Sequence, residues 1–144
     1  MILYHGSSEK IERLEGKQAQ SVNKVPEGEL LNAVYLTPDY GFALACGARP
    51  EGTTNIDGEK KTIEFEHPEL FDPEKEVYMY HIESESVPEG HLHQIDNHQY
   101  AVEGLQELMY QQVDHRKARD VMEYYKLINW EPNEATRELR HRPR

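Results

Sequence analysis

Cysteine is almost missing: Cys46 stands alone in 144 residues, so no internal disulfide forms and no thiolate metal site can be built from this chain. Long apolar runs are missing too, since nothing approaches the roughly 18 consecutive residues of a membrane-spanning helix. The first residues lack the charged-then-apolar profile of a secretory signal, and with a lone thiol the expectation is a cytoplasmic protein. Neither a glycine-rich dinucleotide fingerprint nor a phosphate-loop motif occurs, which disfavours ordinary Rossmann and NTPase chemistry. Ser7 and Ser8 follow His5 closely but lack the elbow signature of a hydrolase nucleophile. Positive charge is scarce, with 16 Lys and Arg against 27 Asp and Glu and a net charge of −11. A broad phosphate-binding surface needs clustered cations, so nonspecific binding to DNA or to an anionic membrane is disfavoured.

What remains is enough for one folded domain. The length suits a single core, and 37% hydrophobic with 9% aromatic residues is too much for a disordered chain. The charge is divided unevenly. Residues 1–114 hold 8 basic and 22 acidic side chains, whereas 115–144 hold 8 basic and 5 acidic ones. The expected organisation is a body over 1–114 and, within the same domain, a basic C-terminal helix and tail over 115–144. That segment is either a solvated terminal helix or a docking arm for nucleic acid, a target or a neutralising partner.

Patterning predicts several short strands and few helices. Ile2–His5 reads as a strand stopped by Gly6-Ser7-Ser8, and Ser8–Leu14 as a short helix or irregular turn. A polar stretch runs on to Glu29 as a long loop, of the kind that covers sites. Leu30–Leu36 is a strand ended by Thr37-Pro38-Asp39, where Asp39 can cap a helix beginning near Tyr40. That helix is small and apolar through Ala48, as close packing on a sheet requires, and Arg49-Pro50 stops it. Asn55–Gly58 carries a hairpin signal before a strand at Thr62–Glu66. Glu76–Ile82 has no purely polar face and is expected in the middle of a sheet. Extended pieces follow at His91–Ile95 and Gln99–Val102, and Leu108–Val113 fits strand or helix. Ala118, Val121, Met122, Tyr125 and Ile128 have helical spacing within 116–130. Strands outnumber helices without regular alternation, so the expected fold class is α+β.

Two constellations carry chemistry. His91 and His93 share one face of an extended segment with Asp96 and His98 nearby, a donor set suited to zinc or iron, though close pairs also arise by chance among 8 histidines. The other joins three strand ends: Leu3-Tyr4-His5-Gly6-Ser7, then Ala33-Val34-Tyr35-Leu36-Thr37-Pro38-Asp39 leading into Phe42-Ala43-Leu44-Ala45, and later Gln99-Tyr100-Ala101-Val102. This order resembles the catalytic core of ADP-ribosyltransferases of the poly(ADP-ribose) polymerase-like, or diphtheria-toxin-like, branch.

The resemblance implies split mixed and antiparallel sheets with short flanking helices, NAD as co-substrate, no metal, and a macromolecular acceptor, either protein, DNA or RNA. It implies a triad of His5, Tyr35 and Gln99, with Gln99 in the place usually held by Glu and Glu103 as the fallback carboxylate. His5 would bond a hydroxyl of the adenosine ribose, and the backbone of Gly6, beside Ser7, would bond the nicotinamide carboxamide. Tyr35 would lie against the nicotinamide ring, with Tyr40 or Phe42 as a second aromatic wall. Ala43 stands near the position where many members carry a serine. An amide cannot act as a general base, so Gln99 points to transfer of a single unit, as in a bacterial or phage effector or toxin, or to a degenerate domain that binds NAD, ADP-ribose or a protein.

Overall fold

A computed structural model describes residues 1–10, 17–18, 32–104 and 108–131. Most of the expected helix or turn over 8–14, most of the long loop to Glu29, and the end of the basic tail lie outside the described residues. Among the described residues ten strands run in chain order as β1 (Ile2–Ser7), β2 (Lys17–Gln18), β3 (Asn32–Leu36), β4 (Thr54–Asp57), β5 (Thr62–Phe65), β6 (Glu76–Glu83), β7 (Leu92–Gln94), β8 (Tyr100–Glu103), β9 (Gln112–Lys117) and β10 (Lys126–Leu127). One α-helix, α1 (Tyr40–Ala48), follows β3. The class is α+β as expected, with antiparallel pairing throughout the described sheets except between β10 and β5.

β6 is the middle strand of the sheet β1-β6-β9, and both its faces are buried, which explains its lack of a polar face. Val77 and Met79 point to one core, shared with α1, Ile63, Phe65 and Phe71. Tyr80 and Ile82 point to the other, where Leu3 meets Val34, Leu36 and Val102 of the second sheet, β2-β3-β8-β7. The first sheet is therefore a central layer. The third sheet, β10-β5-β4, closes the first core from beyond α1.

α1 is apolar on all sides, as a helix must be when neighbours surround it. Seven of its nine residues are buried. Thr37 Oγ1 accepts the Asp39 amide at 3.1 Å, and Asp39 Oδ1 then accepts the Phe42 amide at 3.2 Å, capping the helix as the Thr-Pro-Asp sequence predicts. Contact with β1 is made glycine to glycine. A Cβ on Gly6 would lie 1.9 Å from the Ala43 carbonyl oxygen, and one on Gly47 would lie 3.1 Å from the Gly6 carbonyl carbon.

The C-terminal region departs from expectation. Residues 116–130 form no α-helix: β9 runs to Lys117, a 3-10 helix spans Ala118–Glu123, and β10 follows. Lys126 and Ile128 donate their amides to the carbonyls of Lys61 and Ile63, and Asn129 exchanges two hydrogen bonds with the backbone of Phe65. Pairing with distant β5 thus overrides the local helical spacing. Ala118, Val121, Tyr125 and Leu127 are core residues, so this stretch is no detached arm. Two of its cations are paired within the fold as well. Arg116 binds Asp120 at 3.0 Å and Glu123 at 2.8 Å, and Arg119 binds Glu74 at 3.1 Å. No helix among the described residues is long and apolar enough to cross a membrane.

Candidate functional site

The site begins where two strands part. Tyr4 and Thr37 exchange both backbone hydrogen bonds, at 2.7 and 3.0 Å, which pins β1 to the end of β3. A continued antiparallel ladder would next join Gly6 to Tyr35. Instead the strands splay. The His5 side chain takes the place of that rung, its Nδ1 lying 2.9 Å from the Tyr35 carbonyl oxygen. A carbonyl only accepts, so Nδ1 carries a proton and donates it to Tyr35. Alternation along β1 turns the N–H and C=O of Gly6 to the same side as those of Tyr4, into the opening.

The opening is a cavity of about 230 Å³, lined by Tyr4, His5 and Gly6 from β1, Tyr35, Leu36 and Thr37 from the end of β3, Phe42, Ala43, Cys46 and Arg49 from α1 and its end, and Gln99. β8 pairs with β3 so that Tyr100 faces Leu36, and the next rung outward would set Gln99 opposite Thr37. An Asx turn fixes this corner: Asp96 Oδ1 accepts the amides of His98 and Gln99 at 2.7 and 2.9 Å, and the Gln99 carbonyl accepts the Ile95 amide at 2.8 Å. Residues 5, 35 and 99 thus meet at one cavity, together with Gly6, Phe42 and Ala43. Tyr35 is 41% exposed, so its ring offers an accessible face at the rim.

Three expected residues stand elsewhere. Ser7 lies past the cavity, where its Oγ accepts the Glu9 amide at 3.1 Å and closes the turn after β1. Tyr40 is turned to β9, donating to Asp114 at 2.9 Å and accepting from Arg116 at 3.2 Å. Two helical positions are about 200° apart, so Tyr40 and Phe42 cannot both face the cavity. Desolvation, with Asp114 beside it, pushes the Tyr40 hydroxyl up to about 12. Glu103 closes the far end of β8, its amide bonded to the His91 carbonyl, and it does not line the cavity.

The histidine-rich stretch does not assemble as a metal centre. His91 Nδ1 lies 2.8 Å from the Glu103 carbonyl oxygen, His93 is exposed, and Asp96 is occupied by its Asx turn. Among the described residues no three His, Cys, Asp or Glu side chains converge on a point where an ion would sit.

Two lining residues were not singled out by the sequence. Cys46 reads as a core residue, yet it is half-buried at the cavity wall, and burial pushes its thiol up to about 11, which keeps it protonated at neutral pH. Arg49 reads only as a helix stop. It is exposed at the mouth and makes no ion pair with the described residues. A lone arginine closing an otherwise apolar helix was the available signal. Comparison of the chain with protein-family models, with curated proteins and with solved structures finds no match.

Proposed function

We propose that the protein is an NAD-dependent mono-ADP-ribosyltransferase, a variant with a His-Tyr-Gln set on an ADP-ribosyltransferase-like arrangement of split sheets. The observation that carries this reading is the meeting of His5 and Gly6 from β1, Tyr35 from β3 and Gln99 from the turn before β8 at one cavity beside α1. The size of the cavity fits one end of a dinucleotide, since it lies below the ~300 Å³ at which pockets begin to enclose a drug-sized ligand. Gly6 offers a peptide N–H and C=O, the complement of a carboxamide, and Tyr35 offers an aromatic face to a cationic pyridinium ring. A neutral His5 accepts a hydrogen bond from a ribose hydroxyl through Nε2, and Arg49 at the mouth complements the diphosphate.

Cleavage of the nicotinamide glycosidic bond passes through an oxocarbenium-like transition state. The chain's residues then act by holding the dinucleotide bent and placing dipoles where charge develops. Gln99 orients the nicotinamide ribose through its amide, and single-unit transfer follows from the missing carboxylate. The acceptor is a protein or nucleic acid, and an intracellular effector or toxin role agrees with this chemistry. The test is incubation with NAD labelled in its adenylate half, offered lysate protein, DNA, RNA or buffer alone. Label transfer with nicotinamide release is expected and is abolished by His5→Ala. Release or transfer in no condition would sink the reading.

The absence of an acid at position 99 favours a second reading, a domain that binds NAD or ADP-ribose without turnover. Saturable NAD binding, unaccompanied by nicotinamide release, would select it.

A further inference from the structure

Transfer to a neutral acceptor releases a proton, and among the described residues the donor cavity leaves no group over to take it: His5 is assigned to the adenosine ribose, Gln99 is an amide, Glu103 lies off the cavity, and the Cys46 thiol is held protonated. A second, larger cavity of about 890 Å³ meets the first at Phe42, Cys46, Arg49 and Gln99. Its outer walls are the β4–β5 hairpin and the turn that carries His98 and Gln99.

Among the described residues His98 supplies its only imidazole. The ring lies parallel to Phe42, with centroids 6.1 Å apart and planes within 1°, and it covers Gly58, where a Cβ would come within 2.8 Å of the ring atoms. Its main chain is tied by the same Asp96 carboxylate that ties Gln99. None of the described residues hydrogen-bonds either ring nitrogen. The carboxylates on these walls are placed differently. Asp57 is committed to the amides of Glu59 and Lys60, and Glu59 and Glu64 are exposed and lack a positioning hydrogen bond among the described residues. Three carboxylates against Arg49 and Lys60 leave these walls net negative, which disfavours a carboxylate acceptor, one that would need no base.

We propose that this second cavity seats the acceptor, a neutral hydroxyl, and that His98 is the general base for its transfer. The proposal rests on the transferase reading above. In the step, the C1′–N bond of NAD breaks and its electron pair leaves with nicotinamide. The acceptor oxygen bonds to C1′, and its proton passes to the His98 ring and then to solvent. No oxidation or reduction accompanies the exchange.

Methanol is the probe acceptor, with labelled NAD, and the readouts are methyl ADP-ribose, nicotinamide release and NAD affinity. His98→Ala and His98→Gln are expected to lower methyl transfer by about 100-fold while NAD affinity stays within about twofold, as for any residue outside the donor cavity. Free imidazole, entering the slot between Phe42 and Gly58, is expected to restore part of the His98→Ala rate. Wild-type rates in both variants, a loss that imidazole does not relieve, or a wild type that forms no methyl product would overturn the proposal. If the wild type turns NAD over and the variants do so equally well, only the role of His98 falls. If the wild type neither binds NAD nor releases nicotinamide, the transferase reading falls with it.

Discussion

Gly6 was legible as the residue after a strand histidine, but its reason for being glycine was not. The sequence suggested room for a ligand on the open side. The structure adds a second demand on the helix side, where α1 presses its Ala43 carbonyl against the place a Cβ would occupy, 1.9 Å away. That contact joins residues 37 positions apart, and no local pattern contains it. Gly6→Ala must push α1 off β1, an overpacking cost of about 1–3 kcal/mol. The expected result is a lower urea midpoint with an unchanged m-value, and an unchanged midpoint would show that the helix shifts freely. The same limit explains the neighbours misread from sequence. Ser7 ends β1 with its hydroxyl committed to the turn that follows, and Tyr40 faces away from Phe42 by helix geometry, so adjacency to a site residue did not put either at the cavity.

At the scale of elements, α1 depends on one carboxylate. Asp39 Oδ1 caps the helix, while Oδ2 accepts from Lys61 Nζ and from Tyr125 Oη, both at 2.6 Å, tying the helix start to β5 and to the segment before β10. Burial alone would raise this carboxyl, but the bonds from Lys61, Tyr125 and the Phe42 amide outweigh it and hold its pKa below the usual carboxylate range. A depressed folded pKa means that the unfolded chain binds more protons in the window between the two values. The stability from Asp39 is therefore complete above the unfolded value near ~3.9 and is lost as pH falls through the folded one. Asp39→Asn retains a capping oxygen but cannot titrate. Its urea midpoint is expected to fall less steeply than that of wild type as pH drops below about 4. Parallel acid profiles for the two proteins would place the acid-sensitive group elsewhere. The cap itself was readable from Thr37-Pro38-Asp39, because capping is local. The partners Lys61 and Tyr125 were not, because they arrive from 22 and 86 residues away.

On the scale of the whole molecule, the charge division between 1–114 and 115–144 suggested a terminal helix and tail of the same domain, either solvated or a docking arm, and packing shows that its described part, 115–131, belongs to the core. Val121 and Leu127 are buried, and each contributes roughly 1.5–3 kcal/mol relative to exposure. Tyr125 is buried between α1 and β5 and also donates to Asp39, and β9 still pairs with β6 through Lys117. Set against a total stability of about 5–15 kcal/mol for a domain, losing these contacts together removes most of the margin. The two halves of the candidate site were legible as strand ends, yet the surface on which α1 rests is completed by residues 118–127, whose apolar spacing suggested an α-helix until distant β5 is taken into account. A chain ending at residue 114 is therefore expected to lack the cooperative urea transition and the near-ultraviolet circular dichroism of packed tyrosines that are expected of the full chain. It should also lose any NAD binding at the His5 cavity, because Phe42, Ala43 and Arg49 reach that cavity only through the seating of α1. If the truncated chain unfolds cooperatively and keeps its NAD affinity, the C-terminal segment is an appendage after all, and its basic residues are then available as a docking arm.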